Sequence, residues 1–303
     1  MDGSCGNKGP RPYSGRMGRR VTQDHEIGML WVEGPLSYVE QLCIRSFLDA
    51  GHAVTLYHYG AVSNVPDGVT LQHGSAILDR DRFISHARTG SMALFSDVFR
   101  YHMLHRRGHV IWADTDAYCL RRFTSETGHF FGWESEHHIN GGVLGLPPDS
   151  PALAGLLAMT EDEYGIPFWY NDATKARLRA RAGAGDPVHV GDLPWGTWGP
   201  HAITAWLHHT GEAAHAFERE VLYPVPFPNR RQMVKARKRA QAEAFLTDRT
   251  LSIHLYGRRI RDFLATRPGG LPDEGGLIDH LLKKHRVDPR AAPIPARHAP
   301  QGT

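Results

Sequence analysis

The feature that most constrains the fold of this chain is an apolar run that ends at two closely spaced carboxylates. His109–Ala113 is typical of a buried strand, and Asp114-Thr115-Asp116 follows it directly. Side chains two residues apart leave a strand on the same side, so both carboxylates are predicted to face one site. Such oxygen ligands suit Mg²⁺ or Mn²⁺, which commonly also bind substrate phosphates. The alternative is a solvated turn.

A helix is predicted immediately upstream of this strand. Apolar residues recur at helical spacing from Leu94 to Leu104, and Gly108 then ends the pattern. Asp97 and Arg100 are three residues apart, so they share one face of this helix. Two interpretations stay open for the pair, a ligand-binding role and an ordinary ion pair on the helix surface.

Strand and helix signals alternate along the rest of the chain. They predict strands at 27–32, 53–57, 142–146 and 251–255, and helices at 36–50, 151–163, 172–181 and 200–209. Residues 137–140 are predicted to form a loop. Strand–helix–strand order implies parallel strands joined by crossover helices, and hence an α/β fold with a mostly parallel central sheet flanked by helices. Ligands in such sheets bind at the carboxyl ends of the strands, where Asp114 and Asp116 fall.

Length and composition are compatible with one large α/β domain. The 303 residues carry a formal net charge of +3, which does not indicate general nucleic-acid affinity. The three cysteines show no paired spacing, which fits a reducing compartment. No apolar stretch approaches the roughly 20 residues that cross a bilayer. We expect a cytoplasmic protein with a single domain at 25–290, between a basic disordered tail at 1–24 and a second disordered tail at 291–303.

The central block of the sequence closely resembles bacterial sugar transferases with an Asp-x-Asp motif. The matching residues are the Ser96–Tyr101 helix segment, the Gly108 turn and the Asp114–Asp116 strand end. The resemblance is to the glycosyltransferase family 32 and α-1,4-glycosyltransferase-like group, which includes transferases of capsular polysaccharide and lipopolysaccharide synthesis. Weaker matches occur in the family's order at Met29–Val32, Asn140–Val143, Gly199–Pro200 and His254–Tyr256. The resemblance implies the GT-A fold over roughly residues 26–262.

The resemblance also implies a metal site. In the family, the second Asp of the motif binds the cation directly, and the first contacts the donor's ribose or the metal through water. These roles fall on Asp116 and Asp114, and His254 is the candidate third ligand. Imidazole tolerates Mn²⁺ better than Mg²⁺, so the expected cofactor is Mn²⁺, with Mg²⁺ as the second choice. A core histidine on a strand is the alternative for His254.

Further residues are implied to hold the donor. Asp97 and Arg100 resemble the pair that grips the donor sugar, and Asn140 resembles an amide that contacts it, so these three are the candidate catalytic residues. Trp31, at the end of the first predicted strand, matches a tryptophan that stacks on the nucleotide base. Such stacking contributes about 1–3 kcal/mol per base. The alternatives are a backbone-driven Asn-Gly turn at Asn140 and a core position for Trp31.

The resemblance thus implies a metal-dependent glycosyltransferase, in particular a hexosyltransferase, that acts with retention of anomeric configuration. Its expected partners are a nucleotide-sugar donor, foremost a UDP-sugar, and a glycan or glycolipid acceptor, with no nucleic acid. Two other classes stay open, a catalytically inactive sugar- or nucleotide-binding module and a phosphohydrolase with an Asp nucleophile. The phosphohydrolase pattern requires Thr or Val four residues after the first Asp. Tyr118 occupies that position, which argues against this class.

A basic cluster occurs at residues 230–239, with Arg230-Arg231 and Lys235-Ala236-Arg237-Lys238-Arg239. Such a cluster is usually a solvated helix face. A functional interpretation is peripheral contact with anionic lipids at the inner face of the membrane, or with an acidic glycan.

Overall fold

The computed structural model describes residues 23–85, 87 and 90–294. The strands are β1 (Gln23–Asp24), β2 (Glu26–Leu30), β3 (Gly34–Pro35), β4 (Val54–His58), β5 (Val62–Ser63), β6 (Val69–His73), β7 (Val110–Ala113), β8 (Ala117–Cys119), β9 (Thr124–Ser125), β10 (Phe130–Trp133), β11 (Ile139–Gly145) and β12 (Ser252–His254). The α-helices are α1 (Tyr38–Asp49), α2 (Ala93–Arg106), α3 (Pro151–Met159), α4 (Asp172–Gly183), α5 (Pro200–Thr210), α6 (Arg219–Leu222), α7 (Arg239–Glu243), α8 (Gly257–Leu264) and α9 (Leu277–Lys284).

Six of the strands form the central sheet, in the order β10-β11-β7-β2-β4-β6. The pairs β7·β2, β2·β4 and β4·β6 are parallel, whereas β11 runs antiparallel to β7 and β10 antiparallel to β11. The predicted α/β fold with a mostly parallel central sheet flanked by helices is therefore confirmed.

Both faces of the sheet are covered, as the alternation along β7 shows. Val110 and Trp112 pack into one core with residues of α2, α3 and α5. Ile111 and Ala113 pack into a second core with the Ile44–Phe47 part of α1. The all-apolar sequence of β7 is what a strand buried on both faces requires.

Local sequence explains where the first helix begins. Ser37 and Glu40 form a capping box, in which the Glu40 carboxylate accepts from the Ser37 backbone N–H at 2.9 Å. Gly51 follows the helix with a φ of +84°, a left-handed conformation that favours glycine. This helix crosses from β2 to β4, so its ends help to fix the spacing of two central strands.

Several elements differ from the sequence prediction. Residues 139–140 belong to β11 rather than to a loop, since Ile139 is fully buried and Asn140 pairs with Gly132 in β10. The edge strand β6 and the helices α8 and α9 were not predicted. Strand β6 is largely exposed, and α8 and α9 are each only eight residues long, so each presents only a short pattern in the sequence.

The ends of the predicted domain need adjustment. Gln23 and Asp24 pair with β9 instead of belonging to a tail. Near the other end, Ala292 accepts from the Tyr38 N–H at 3.0 Å, and Ile294 is buried. Residues 1–22 and 295–303 lie outside the described residues. In the described part of the chain, no helix is both long and apolar enough to cross a membrane.

Candidate functional site

A cavity of about 880 Å³ opens at the carboxyl ends of β2 and β7. All the site residues predicted from the sequence line this one cavity: Trp31, Asp97, Arg100, Asp114, Asp116, Asn140 and His254. They come from different strands, helices and turns, so the fold assembles residues that lie far apart in the sequence.

The Asp114–Asp116 segment is a turn between β7 and β8 rather than the end of a strand. The Asp114 N–H donates to the Gly142 carbonyl at 2.7 Å, and the Asp114 carbonyl accepts from Ala117 N–H at 2.9 Å. Strand alternation, the reason given for the prediction that both carboxylates face one site, is therefore wrong. The turn itself brings both of them to the cavity wall.

Arg100 lies between two carboxylates. Its Nη2 is 3.3 Å from Asp97 Oδ1 and 3.3 Å from Asp114 Oδ1, and its Nη1 donates to the Gly141 carbonyl at 2.6 Å. Trp112 Nε1 donates to the same Asp114 oxygen at 2.8 Å. Asp97 and Arg100 are each only 6% exposed. The interpretation of this pair as an ion pair on the helix surface is therefore wrong.

Burial controls the ionisation of these carboxylates. Burial raises the pKa of Asp97 to about 7, with the charge of Arg100 opposing the rise and that of Asp114 adding to it. Burial also raises the pKa of Asp114 above its ordinary value, again against the charge of Arg100. One guanidinium thus balances two buried acids, and its loss would leave both without a compensating charge.

Asp116 makes a separate pair with His254. Asp116 Oδ2 lies 3.3 Å from His254 Nε2 and accepts from the Gly257 N–H at 2.6 Å. Burial alone would raise the pKa of Asp116, but His254 and this hydrogen bond outweigh it and lower the pKa to about 2. Burial would lower the pKa of His254, yet Asp116 raises it to about 9. The pair is therefore ionised at neutral pH.

The pair also has two polar atoms without partners. Asp116 Oδ1 and His254 Nδ1 are buried and have no hydrogen-bond partner among the described residues. Buried polar atoms without partners are costly, so this arrangement fits a group that would bind there. Within residues 23–85, 87 and 90–294, no three His, Cys, Asp or Glu side chains form a ready-made metal cluster. Asp116 and His254 are thus the candidate ligands among the described residues.

Asn140 and Trp31 occupy different walls of the cavity. Asn140 lies in β11 rather than in the alternative Asn-Gly turn. Its side chain donates to Glu134 Oε2 at 2.8 Å and accepts from the Gly142 N–H at 2.6 Å. Trp31 is half-buried, and its Nε1 donates to the Gly34 carbonyl at 3.2 Å. A position in the cavity wall excludes the fully buried core alternative for Trp31.

The sequence analysis missed the arginines of α8 and the exposed ring of Phe227. Arg258, Arg259 and Arg261 line the cavity, as do Trp195 and Phe227, which are 54% and 43% exposed. The available signal was the Gly-Arg-Arg-Ile-Arg run that directly follows the matched His-Leu-Tyr element. Positive charge on this wall suits an anionic ligand.

No protein-family model and no curated protein sequence matches this chain. Solved structures are similar to it, and two of them show the degree of similarity. One is a transferase with two cysteine-to-serine substitutions, at 12% identity and a TM-score of 0.33, covering 52% of this chain and 85% of that chain. The other is apo mouse xyloside xylosyltransferase 1, at 11% identity and a TM-score of 0.37, covering 77% of this chain and 97% of that chain. Similarity of this degree assigns neither a family nor an activity.

Proposed function

We propose that this chain is a metal-dependent glycosyltransferase of the GT-A type. It moves a sugar from a nucleotide-sugar donor, foremost a UDP-sugar, to a glycan or glycolipid acceptor with retention of anomeric configuration. The observation that carries the proposal is the convergence of all the sequence-predicted site residues on one cavity at the carboxyl ends of parallel strands.

Asp116 and His254 are the residues that would hold the cation. Support comes from Asp116 Oδ1, which is buried without a partner, and from His254 Nε2, which lies 3.3 Å from Asp116 Oδ2. His254 would release a proton to bind the cation. Mg²⁺ and Mn²⁺ are commonly bound through few protein ligands together with substrate phosphates, so a two-residue site is adequate for a cation shared with a diphosphate. When bound, the cation neutralises the charge that develops on the diphosphate leaving group. The imidazole favours Mn²⁺.

Asp114 has a different role from Asp116. Its Oδ1 already accepts from Trp112 and pairs with Arg100, so this carboxylate is held in place by the protein. A fixed acceptor in the cavity wall suits a ribose hydroxyl or a water, and we assign Asp114 to the donor rather than to direct metal binding.

Asp97, Arg100 and Asn140 would orient the donor sugar. Asp97 lines the cavity, where an ionised carboxylate can accept from sugar hydroxyls. The N–H groups of Arg100 already donate to acceptors in the protein. We therefore assign Arg100 the role of positioning Asp97 and Asp114. Asn140, held by Glu134, would present its amide to the same sugar.

Trp31 and the arginines of α8 would hold the nucleotide. The Arg261 guanidinium lies 5.8 Å from the centroid of the Trp31 ring and pairs with the fully buried Glu40. This arrangement fixes the indole in the cavity wall, where a base can stack on it. Arg258, which lines this cavity, adds positive charge for the diphosphate.

The test is donor hydrolysis by the purified chain with Mn²⁺ and a panel of sugar nucleotides. We expect Asp116→Asn to abolish nearly all turnover, because it removes a charged cation ligand while leaving side-chain size unchanged. Asp49→Asn is the matched control, since Asp49 also pairs with a histidine, His285 at 2.7 Å, but does not line the cavity. Full turnover in excess chelator would refute the metal dependence. Binding of nucleoside diphosphate without turnover would indicate the inactive binding module instead.

A further inference from the structure

A second, smaller cavity adjoins the first and is rich in arginine. It has a volume of about 410 Å³ and is lined by Arg230, Arg231, Arg259, Asp262, Phe263 and Thr266. We call it the arginine groove. Arg259 lines both cavities, so the groove begins where the wall of the larger cavity ends.

The groove carries an excess of positive charge. Three guanidinium groups face one carboxylate, that of Asp262. Arg230, Arg231 and Arg259 line the same cavity, and burial, followed by the charges of Arg231 and Arg259, lowers the pKa of Arg230. Clustered like charges destabilise the folded state, so this arrangement favours an anion that would relieve the repulsion.

Aromatic rings hold two of the guanidinium groups in place. The Arg230 guanidinium lies 3.8 Å from the Phe227 ring centroid, and its Nη1 donates to the Phe227 carbonyl at 2.6 Å. Its Nε is buried and has no partner among the described residues. The Arg231 guanidinium lies 4.8 Å from the centroid of Phe263. Stacking restricts both side chains before any ligand binds, which reduces the entropy lost on binding.

We propose that the arginine groove binds a phosphate group carried by the acceptor molecule. Arginine forks bind phosphate oxygens through paired, charge-assisted hydrogen bonds, and the cavity has room for a phosphate group together with part of the molecule that carries it. The assignment to the acceptor rests on the proposed function, because the donor's own diphosphate belongs beside Asp116 and His254. Through Arg259 the groove opens next to that site, where a second substrate would lie.

The experiment measures protection of arginines from phenylglyoxal by inorganic phosphate, with mass spectrometry of the peptides. We expect phosphate to protect Arg230, Arg231 and Arg259. The double variant Arg230→Gln/Arg231→Gln should bind phosphate at least about tenfold more weakly, because it loses two charged donors. The matched control is Arg237→Gln/Lys238→Gln, which removes the same charge from the same basic segment outside the groove and should keep wild-type affinity. Unprotected groove arginines would overturn the proposal.

Two further arms separate the possible outcomes. Vesicles of phosphatidylcholine with phosphatidic acid replace inorganic phosphate in the second arm. Protection of the groove arginines by both probes supports the proposal and indicates that a lipid carries the phosphate. Protection by vesicles alone overturns the proposal, because the groove would then not bind phosphate itself. In the third arm, donor hydrolysis without acceptor should be unchanged in the Arg230→Gln/Arg231→Gln variant. Absence of hydrolysis in the wild type would refute the proposed function, whereas phosphate protection tests the groove independently of turnover.

Discussion

Replacing Arg100 by glutamine should destabilise the fold strongly and in a pH-dependent way. Arg100 is the guanidinium that contacts both Asp97 and Asp114, and its side chain is 7% exposed. Removal of one partner from a buried ion pair costs about 3–5 kcal/mol. Because two carboxylates lose their partner here, we expect the upper part of this range at pH 8.

The pH dependence follows from the raised pKa of Asp97. A carboxyl whose folded-state pKa lies above its unfolded value binds more protons in the native state, so stability falls as pH rises between those two values. For wild-type Asp97 this window runs from 3.8 to about 7. Loss of the Arg100 charge raises the folded-state pKa of Asp97, and with it the upper limit of this window. The variant should therefore lose more stability relative to wild type at pH 8 than at pH 6.

Urea denaturation at pH 6 and pH 8, followed by tryptophan fluorescence, measures both effects. Arg45→Gln is the control, since Arg45 pairs with Asp49 on an exposed part of α1 and should cost less than about 1 kcal/mol. The double variant Asp97→Asn/Arg100→Gln should recover about 1–3 kcal/mol relative to the single variant, because one uncompensated carboxylate is gone. A loss below about 1 kcal/mol for Arg100→Gln at pH 8, or an equal loss at both pH values, would refute this reasoning.

Two further outcomes are expected. Mn²⁺ with nucleoside diphosphate should raise the melting temperature of the wild type by linkage. The His254→Gln variant should lose most of that rise, because it keeps only one of the two proposed cation ligands, and an undiminished rise would remove His254 from the metal site. Gly155→Ala should cost about 1–3 kcal/mol in chemical denaturation, since its Cβ would lie 2.4 Å from the Trp206 ring. Gly183→Ala, with open space at its Cβ, should cost nothing, and equal effects of the two glycine variants would contradict the packing argument.

The sequence by itself determined the elements that depend on local signals. The apolar period of α2 and the apolar run of β7 act within a few residues, and both elements appear close to where they were predicted. The order of these elements was enough to predict a mostly parallel sheet, because parallel strands need crossover connections. It also predicted the edge of the sheet where Asp114 and Asp116 would lie.

Only the tertiary structure decided how the site residues pair. Arg100 contacts Asp97 on its own helix but also Asp114 in the turn after β7, and Asp116 contacts His254 because β12 pairs with β8. The arginine groove joins α8 to a segment some thirty residues earlier in the chain. These contacts depend on how the cores pack and which surfaces are buried, and burial also sets the ionisation of the carboxylates. The periodicity of a short segment predicts neither these contacts nor the burial of the site residues, because both depend on residues distant in sequence.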